Sequence, residues 1–223
     1  MDATETPQSL PRQLPRGPHG LDPEVVAASQ RVRILEAIAE LVARDGYAAV
    51  RVADVIQRAG VSRRTFYEHF GNKEDAFLAA FDHFSSGLVD AVLAAADPAA
   101  EPRTQLRDGY AALLGYLSAH PGTAKAFTVV APEAGRAAQD RRAEWREASI
   151  LRLQVLYADA AQVLNLDQPE LPEHIARATV GAVDALIQRH VETQSDHDPL
   201  DLLDAVTGVA ELLMFGKIEE SER

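Results

Sequence analysis

The stretch that decides the fold is VADVIQRAGVSRRTFYEHFGNK, residues 52–73. Residues 52–58 supply one or two helical turns, with Val52, Val55 and Ile56 facing inward. Ala59-Gly60-Val61 makes a tight connection, because glycine reaches the positive φ that a sharp turn between helices requires. Ser62 is a natural N-cap, its hydroxyl accepting from an exposed backbone N–H. The second helix runs over 62–69. Phe66 and Phe70 are four apart and share its buried face, which leaves Arg63, Arg64 and Tyr67 on the opposite side. Such a pair of helices suits the DNA major groove, which the second helix enters by its N-terminal residues. An arginine can hold guanine O6 and N7 with two hydrogen bonds, worth about 1–3 kcal/mol of discrimination. Thr, Tyr, His and Lys suit phosphate oxygens, which position a protein without reading sequence.

The charge distribution agrees with a small docking surface. The 223-residue chain carries a net charge of −12, which by itself opposes DNA binding. Residues 1–75 are nearly neutral at −1, however, and residues 76–223 carry −11. Within 51–73 the sign reverses: Arg51, Arg58, Arg63, Arg64 and Lys73 outnumber Asp54 and Glu68, for a local net of +3. That is a modest electrostatic footprint, which a dimer would double.

Outward from this segment the pattern is helical throughout. Residues 1–21 are proline-rich and poor in large apolar residues, and are expected to form a disordered arm. Its Arg12 and Arg16 are within reach of a minor groove or simply solvated. Asp22-Pro23 gives a capped helix start, and Gly46 a stop. Between them Val32, Leu35, Ile38, Ala39 and Val42 form one apolar stripe. Further helices are expected over 73–96 (stripe Phe77, Phe81, Phe84, Leu88), 102–119, 123–130, 133–165, 172–193 and 198–216, with prolines at the joints. No run alternates long enough for a strand. The expected fold is all-α with about nine helices: the arm (1–21), a helix-turn-helix unit (22–72) and a helical bundle (73–223).

The segment resembles the DNA-binding domain of the tetracycline-repressor (TetR) family. The matching residues are Gly46, Tyr47, Val52, Ala59, Gly60, Val61, Ser62, Thr65, Phe66, Tyr67, His69, Phe70, Lys73 and Glu74. The resemblance implies base contacts by Arg63 and Arg64, and phosphate contacts by Ser62, Thr65, Tyr67, His69 and Lys73. Arg51 stands where the family usually has a capping Thr. It loses a cap worth about 1 kcal/mol and is read as a phosphate contact instead. Ile56 replaces a usual Ala.

The resemblance also implies that the bundle binds a small-molecule effector and forms a homodimer on a palindromic operator. Small residues Gly181, Ala182 and Ala185, with Leu186, Leu203, Val206, Ala210 and Leu213, are candidates for a four-helix dimer interface or for ordinary intrachain packing. Phe84, Leu88, Tyr110, Phe127, Trp145 and Arg152 lie on inward faces, as pocket wall or plain core. The function implied is a transcriptional repressor released by its ligand. A transcriptional activator, or a ligand-independent regulator of the same fold, is the alternative.

Other classes find less support. The chain has no cysteine, which excludes disulfides and thiolate metal sites and fits a reducing cytoplasm. It shows no secretory signal pattern and no apolar run of membrane-spanning length, so no membrane partner is expected. There is no nucleophile elbow, His-Glu-x-x-His or phosphate-binding glycine loop. His69 has no second ligand at metal spacing. No catalytic residue, cofactor or metal is therefore expected.

Overall fold

The computed structural model describes residues 22–193 and 197–216, so the proposed arm at 1–21 lies outside the described residues. Among them are nine α-helices and no strand: α1 Pro23–Asp45, α2 Val52–Ala59, α3 Arg63–His69, α4 Lys73–Ala95, α5 Pro102–Ala119, α6 Pro121–Lys125, α7 Arg136–Leu164, α8 Glu173–Thr193 and α9 Leu203–Phe215.

Local chemistry sets the ends of the first four. Asp22 accepts from the Glu24 N–H at 2.9 Å and Pro23 occupies the first turn, where its missing N–H costs nothing. Gly60 closes α2 at φ 63°, the left-handed region, while the Val61 N–H reaches back to the Ile56 carbonyl at 3.3 Å. Ser62 and Asn72 cap α3 and α4 by accepting from the Thr65 and Asp75 N–H groups. Four of the five expected α1 stripe residues, Leu35, Ile38, Ala39 and Val42, are buried, and the buried face extends to the side away from the fifth, Val32. Val32 is exposed, whereas Ile34, Leu35, Ile38 and Val42 are buried. The buried arc is centred on Ile38, about a third of a turn from Val32.

The 120–136 region departs most from expectation. Pro121 opens α6 rather than breaking the chain. The helical path then continues through a π-helical turn, Ala126–Val130, and a 3-10 turn, Ala131–Glu133, before Gly135 at φ 104° redirects it into α7. The π turn carries Phe127 into the centre of the molecule. Its ring lies 5.3, 5.2 and 5.5 Å from Phe77, Phe81 and Phe84, which occupy successive turns of α4. Such aromatic pairs contribute about 0.5–1.5 kcal/mol each beyond the area they bury.

One apolar cluster runs from Phe66 of α3 through α1, α4 and Phe127 to Val183 and Ile187 of α8. A second, built on Leu106, Ile150, Tyr157, Ala176 and Met214, fills the far end of the bundle. Tyr110 packs against both. By length and composition α4 is apolar enough to cross a membrane, but its phenylalanines are spent on this core.

Candidate nucleic-acid interface

Phe66 and Phe70 fix the rotation of α3 by inserting into the core; Phe66 is fully buried. The opposite face is open. Arg63 and Arg64 are exposed, and Tyr67 is 46% exposed, unusual for a large aromatic residue in so short a helix. The two arginines are held differently. The Arg63 guanidinium lies over the Tyr67 ring at 5.6 Å. Arg64 donates to Glu68 at 2.8 Å, and that carboxylate raises the guanidinium's proton affinity further. Thr65 and His69 are half-buried at the edge of the face. The Ser62 hydroxyl caps α3 and sits 2.8 Å from the Thr65 hydroxyl. Arg51 is exposed at the start of α2. Its side chain offers no cap, but Asp54 replaces half of one by accepting from the Arg51 N–H at 2.9 Å.

Lys73, expected to contact phosphate, is placed differently from the other candidates. Its ammonium is turned inward, donating to the carbonyls of Tyr47 and Val50 at 2.8 and 2.9 Å and lying 4.1 Å from the Tyr47 ring centre. Burial lowers its proton affinity below that of an ordinary lysine. The Tyr47 and Val50 carbonyls lie in the loop between α1 and α2, outside any helix, and the Lys73 ammonium satisfies both.

All six candidate pocket residues, Phe84, Leu88, Tyr110, Phe127, Trp145 and Arg152, line a single cavity of about 630 Å³ enclosed by α4, α5, α7 and α8. Exposed Leu93, Leu151 and Val155 rim it, so it opens between α4 and α7. Burial pushes the Tyr110 phenol up to about 12. Sequence reasoning missed the ion cluster in the wall. Buried Arg142 donates to the Thr128 carbonyl of the π turn at 2.5 Å and to Asp184 of α8 at 3.2 Å; Arg146 shares Asp184 at 2.6 Å. The available signal was an arginine recurring at core spacing in α7.

The proposed interface residues divide. Gly181 and Ala185 are exposed on α8; Ala182, Leu186, Leu203 and Leu213 are half-buried. Val206 and Ala210 are fully buried within the protomer and cannot form an outward face. The open side of α9 carries Ala205, Gly208 and Leu212 instead, the last 70% exposed.

These features define a helix-turn-helix protein whose second helix exposes a basic first turn. Residues 34–80 match the family model described as bacterial regulatory proteins, tetR family. The match lies on the helix-turn-helix unit, from within α1 to the first turns of α4, and makes that unit similar to the DNA-binding domain of this family. The chain is 34% identical over 94 residues to the transcriptional regulator AcuR of Cereibacter sphaeroides, covering 40% of this chain and 42% of that one. It is 32% identical over 123 residues to the HTH-type regulator EthR of Mycolicibacterium smegmatis, covering 51% and 52%. The chain thus spans about half the length of these curated relatives. Among solved structures, the fatty acid degradation regulator FadR of Bacillus halodurans superposes with a TM-score of 0.74 at 20% identity, covering 85% of this chain and 96% of that one. FadR of Bacillus subtilis, solved with stearoyl-CoA, gives 0.67 at 20% identity over 83% and 98%. These likenesses establish the fold.

Proposed function

We propose that the protein is a DNA-binding transcriptional regulator, a repressor released from a palindromic operator by a small-molecule effector. One observation carries this reading: α3 is anchored by Phe66 and Phe70 and presents Arg63, Arg64, Thr65 and Tyr67 on its open face. Arg63 and Arg64 read base edges. Arg51, Ser62, Thr65, Tyr67 and His69 hold phosphates, and Lys73 braces the unit from behind. The helix-turn-helix unit spans 22–72 and the effector and dimer unit 73–223. The protein works in the cytoplasm, as a homodimer through the open faces of α8 and α9, which sets the spacing of two α3 helices one DNA turn apart. It carries out no catalysis.

Release follows from the two ends of α4. The second half of α4 forms cavity wall at Phe84 and Leu88; its first residue braces the loop behind α2. An effector that binds better when α4 is displaced shifts the population away from the DNA-competent spacing, and only by as much as its differential affinity allows.

Genomic footprinting followed by gel shift on the recovered site tests the reading. Expected are a palindromic site, salt-sensitive binding and loss of affinity in both Arg63→Ala and Tyr67→Phe. Normal binding by both variants would place the docking face elsewhere.

A further inference from the structure

The cavity wall is almost wholly apolar, and nearly all its polar side chains are already committed to the protein. Arg142 and Arg146 are held by Asp184. The hydroxyls of Thr128 and Ser149 donate to the carbonyls of Ala124 and Trp145, and the Gln105 amide to the carbonyl of Ala100. Two hydroxyls in the wall, those of Ser85 and Tyr110, have no hydrogen-bond partner among the described residues. Tyr110 is the deeper. It packs against both apolar clusters, and its phenol is a neutral donor at neutral pH.

Charge is balanced around the cavity and the smaller recess beside it. Arg141, Arg142, Arg146 and Arg152 face Asp82, Asp90, Asp159 and Asp184. The rim offers one guanidinium without a carboxylate partner among the described residues, Arg152 over the Trp145 ring at 5.3 Å. Two exposed carboxylates, Asp90 and Asp159, stand with it. A polyanionic head at the rim would meet two carboxylates against one guanidinium without a carboxylate partner, so the local charge repels it.

We infer that the cavity takes an uncharged, elongated, predominantly apolar molecule with one hydrogen-bond acceptor, received by the Tyr110 hydroxyl, rather than a coenzyme A thioester. This rests on the effector reading above and names the chemical class of that effector. The apolar rim at Leu93, Leu151 and Val155 admits the chain, and Tyr110 orients it. The donor is worth most for an acceptor that has already left water.

Trp145 is the one tryptophan in the sequence and lines the cavity, so its fluorescence reports occupancy directly. The full-length protein is titrated with 2-tridecanone, n-decane and stearoyl-CoA, with DNA binding followed in the same samples by anisotropy of a labelled operator. The ketone is expected to shift Trp145 emission saturably and more tightly than stearoyl-CoA. Tyr110→Phe is expected to weaken the ketone about fivefold and to leave n-decane unchanged. Tighter binding of stearoyl-CoA, no response to the ketone, or a Tyr110→Phe variant that binds the ketone normally would each overturn the assignment. Ketone binding without operator release supports the assignment while defeating the effector reading. Release by stearoyl-CoA alone does the reverse.

Discussion

The Lys73 ammonium donates to the Tyr47 carbonyl at 2.8 Å and lies 4.1 Å above the ring of the same residue. Twenty-six residues separate the two in sequence, so the contact fastens α4 to the end of α1. Tyr47 in turn packs on Phe77, its ring centre 5.1 Å away. Lys73→Met is expected to destabilise the fold by about 1–2 kcal/mol and to weaken operator binding with the salt dependence unaltered. A phosphate contact removed would instead lower the slope of log affinity against log salt by about 0.9. Affinity measured across a salt series separates the two roles.

Arg64 is restrained by Glu68, while Arg63 lies over the Tyr67 ring and has no carboxylate partner among the described residues. Glu68→Gln frees Arg64 and removes a negative charge from the docking face. Operator affinity is expected to rise about threefold in low salt, with the gain shrinking as salt is added. Arg63→Ala is expected to cost about 1–3 kcal/mol and to relax preference at one base pair per half-site. Binding to a panel of operator variants checks both, and a uniform loss across all sequences would make Arg63 a phosphate contact.

Asp184 compensates two arginines, one of them buried. Asp184→Asn leaves Arg142 without its charge partner, and such a change costs about 3–5 kcal/mol. The exposed pair Arg177–Glu147, 2.6 Å apart, is a useful control: Glu147→Gln is expected to leave the melting midpoint where it was. Thermal unfolding of the two variants compares them directly.

The two faces of α9 make separable predictions. Ala185→Arg on α8 and Leu212→Asp on α9 place charge on open positions and are expected to yield a folded monomer by sedimentation. Val206→Ala removes two buried methyl groups and is expected to cost about 2 kcal/mol of stability with dimerisation retained. A Val206→Ala protein that dissociates without losing stability would return Val206 to the interface.

Tyr110 gives a pH signature. Its phenol ionises near 10.0 in water and near about 12 in the fold. The native state therefore holds a proton that the unfolded chain has lost, and stability falls as pH rises between those values. Tyr110→Phe is expected to flatten that fall. Denaturant midpoints from pH 9 to 12 test it, and an unchanged profile would mean that the hydroxyl reaches water.

The helix-turn-helix was legible because α3 has one periodicity and two chemically opposite faces: Phe66 and Phe70 against Arg63 and Tyr67. The cavity wall was legible residue by residue, as large inward side chains, but not as a hollow, because an apolar residue reads alike in core or wall. On α9 the pattern failed. Val206 and Ala210 point inward and Leu212 outward, yet all are apolar, so no polar side orients the helix. The inward bonds of Lys73 were hidden for another reason. Its acceptors are loop carbonyls, present at every residue and therefore invisible to any reading of side chains. The π turn at Ala126–Val130 likewise leaves no mark in residue spacing, since prolines at 121 and 132 suggested breaks where the helical path runs on.

The uninterrupted apolar cluster from Phe66 to Ile187 bears on how the molecule would come apart. Phe77 and Phe127 sit where a seam between the two halves would run, and both are buried. A fragment ending at residue 72 would keep the docking helix but strip α1 of the phenylalanines that cover it. Denaturation should accordingly proceed as a single cooperative event in which grip on DNA and occupancy of the cavity vanish together. A ligand that stabilises one end would then raise the melting temperature of the whole.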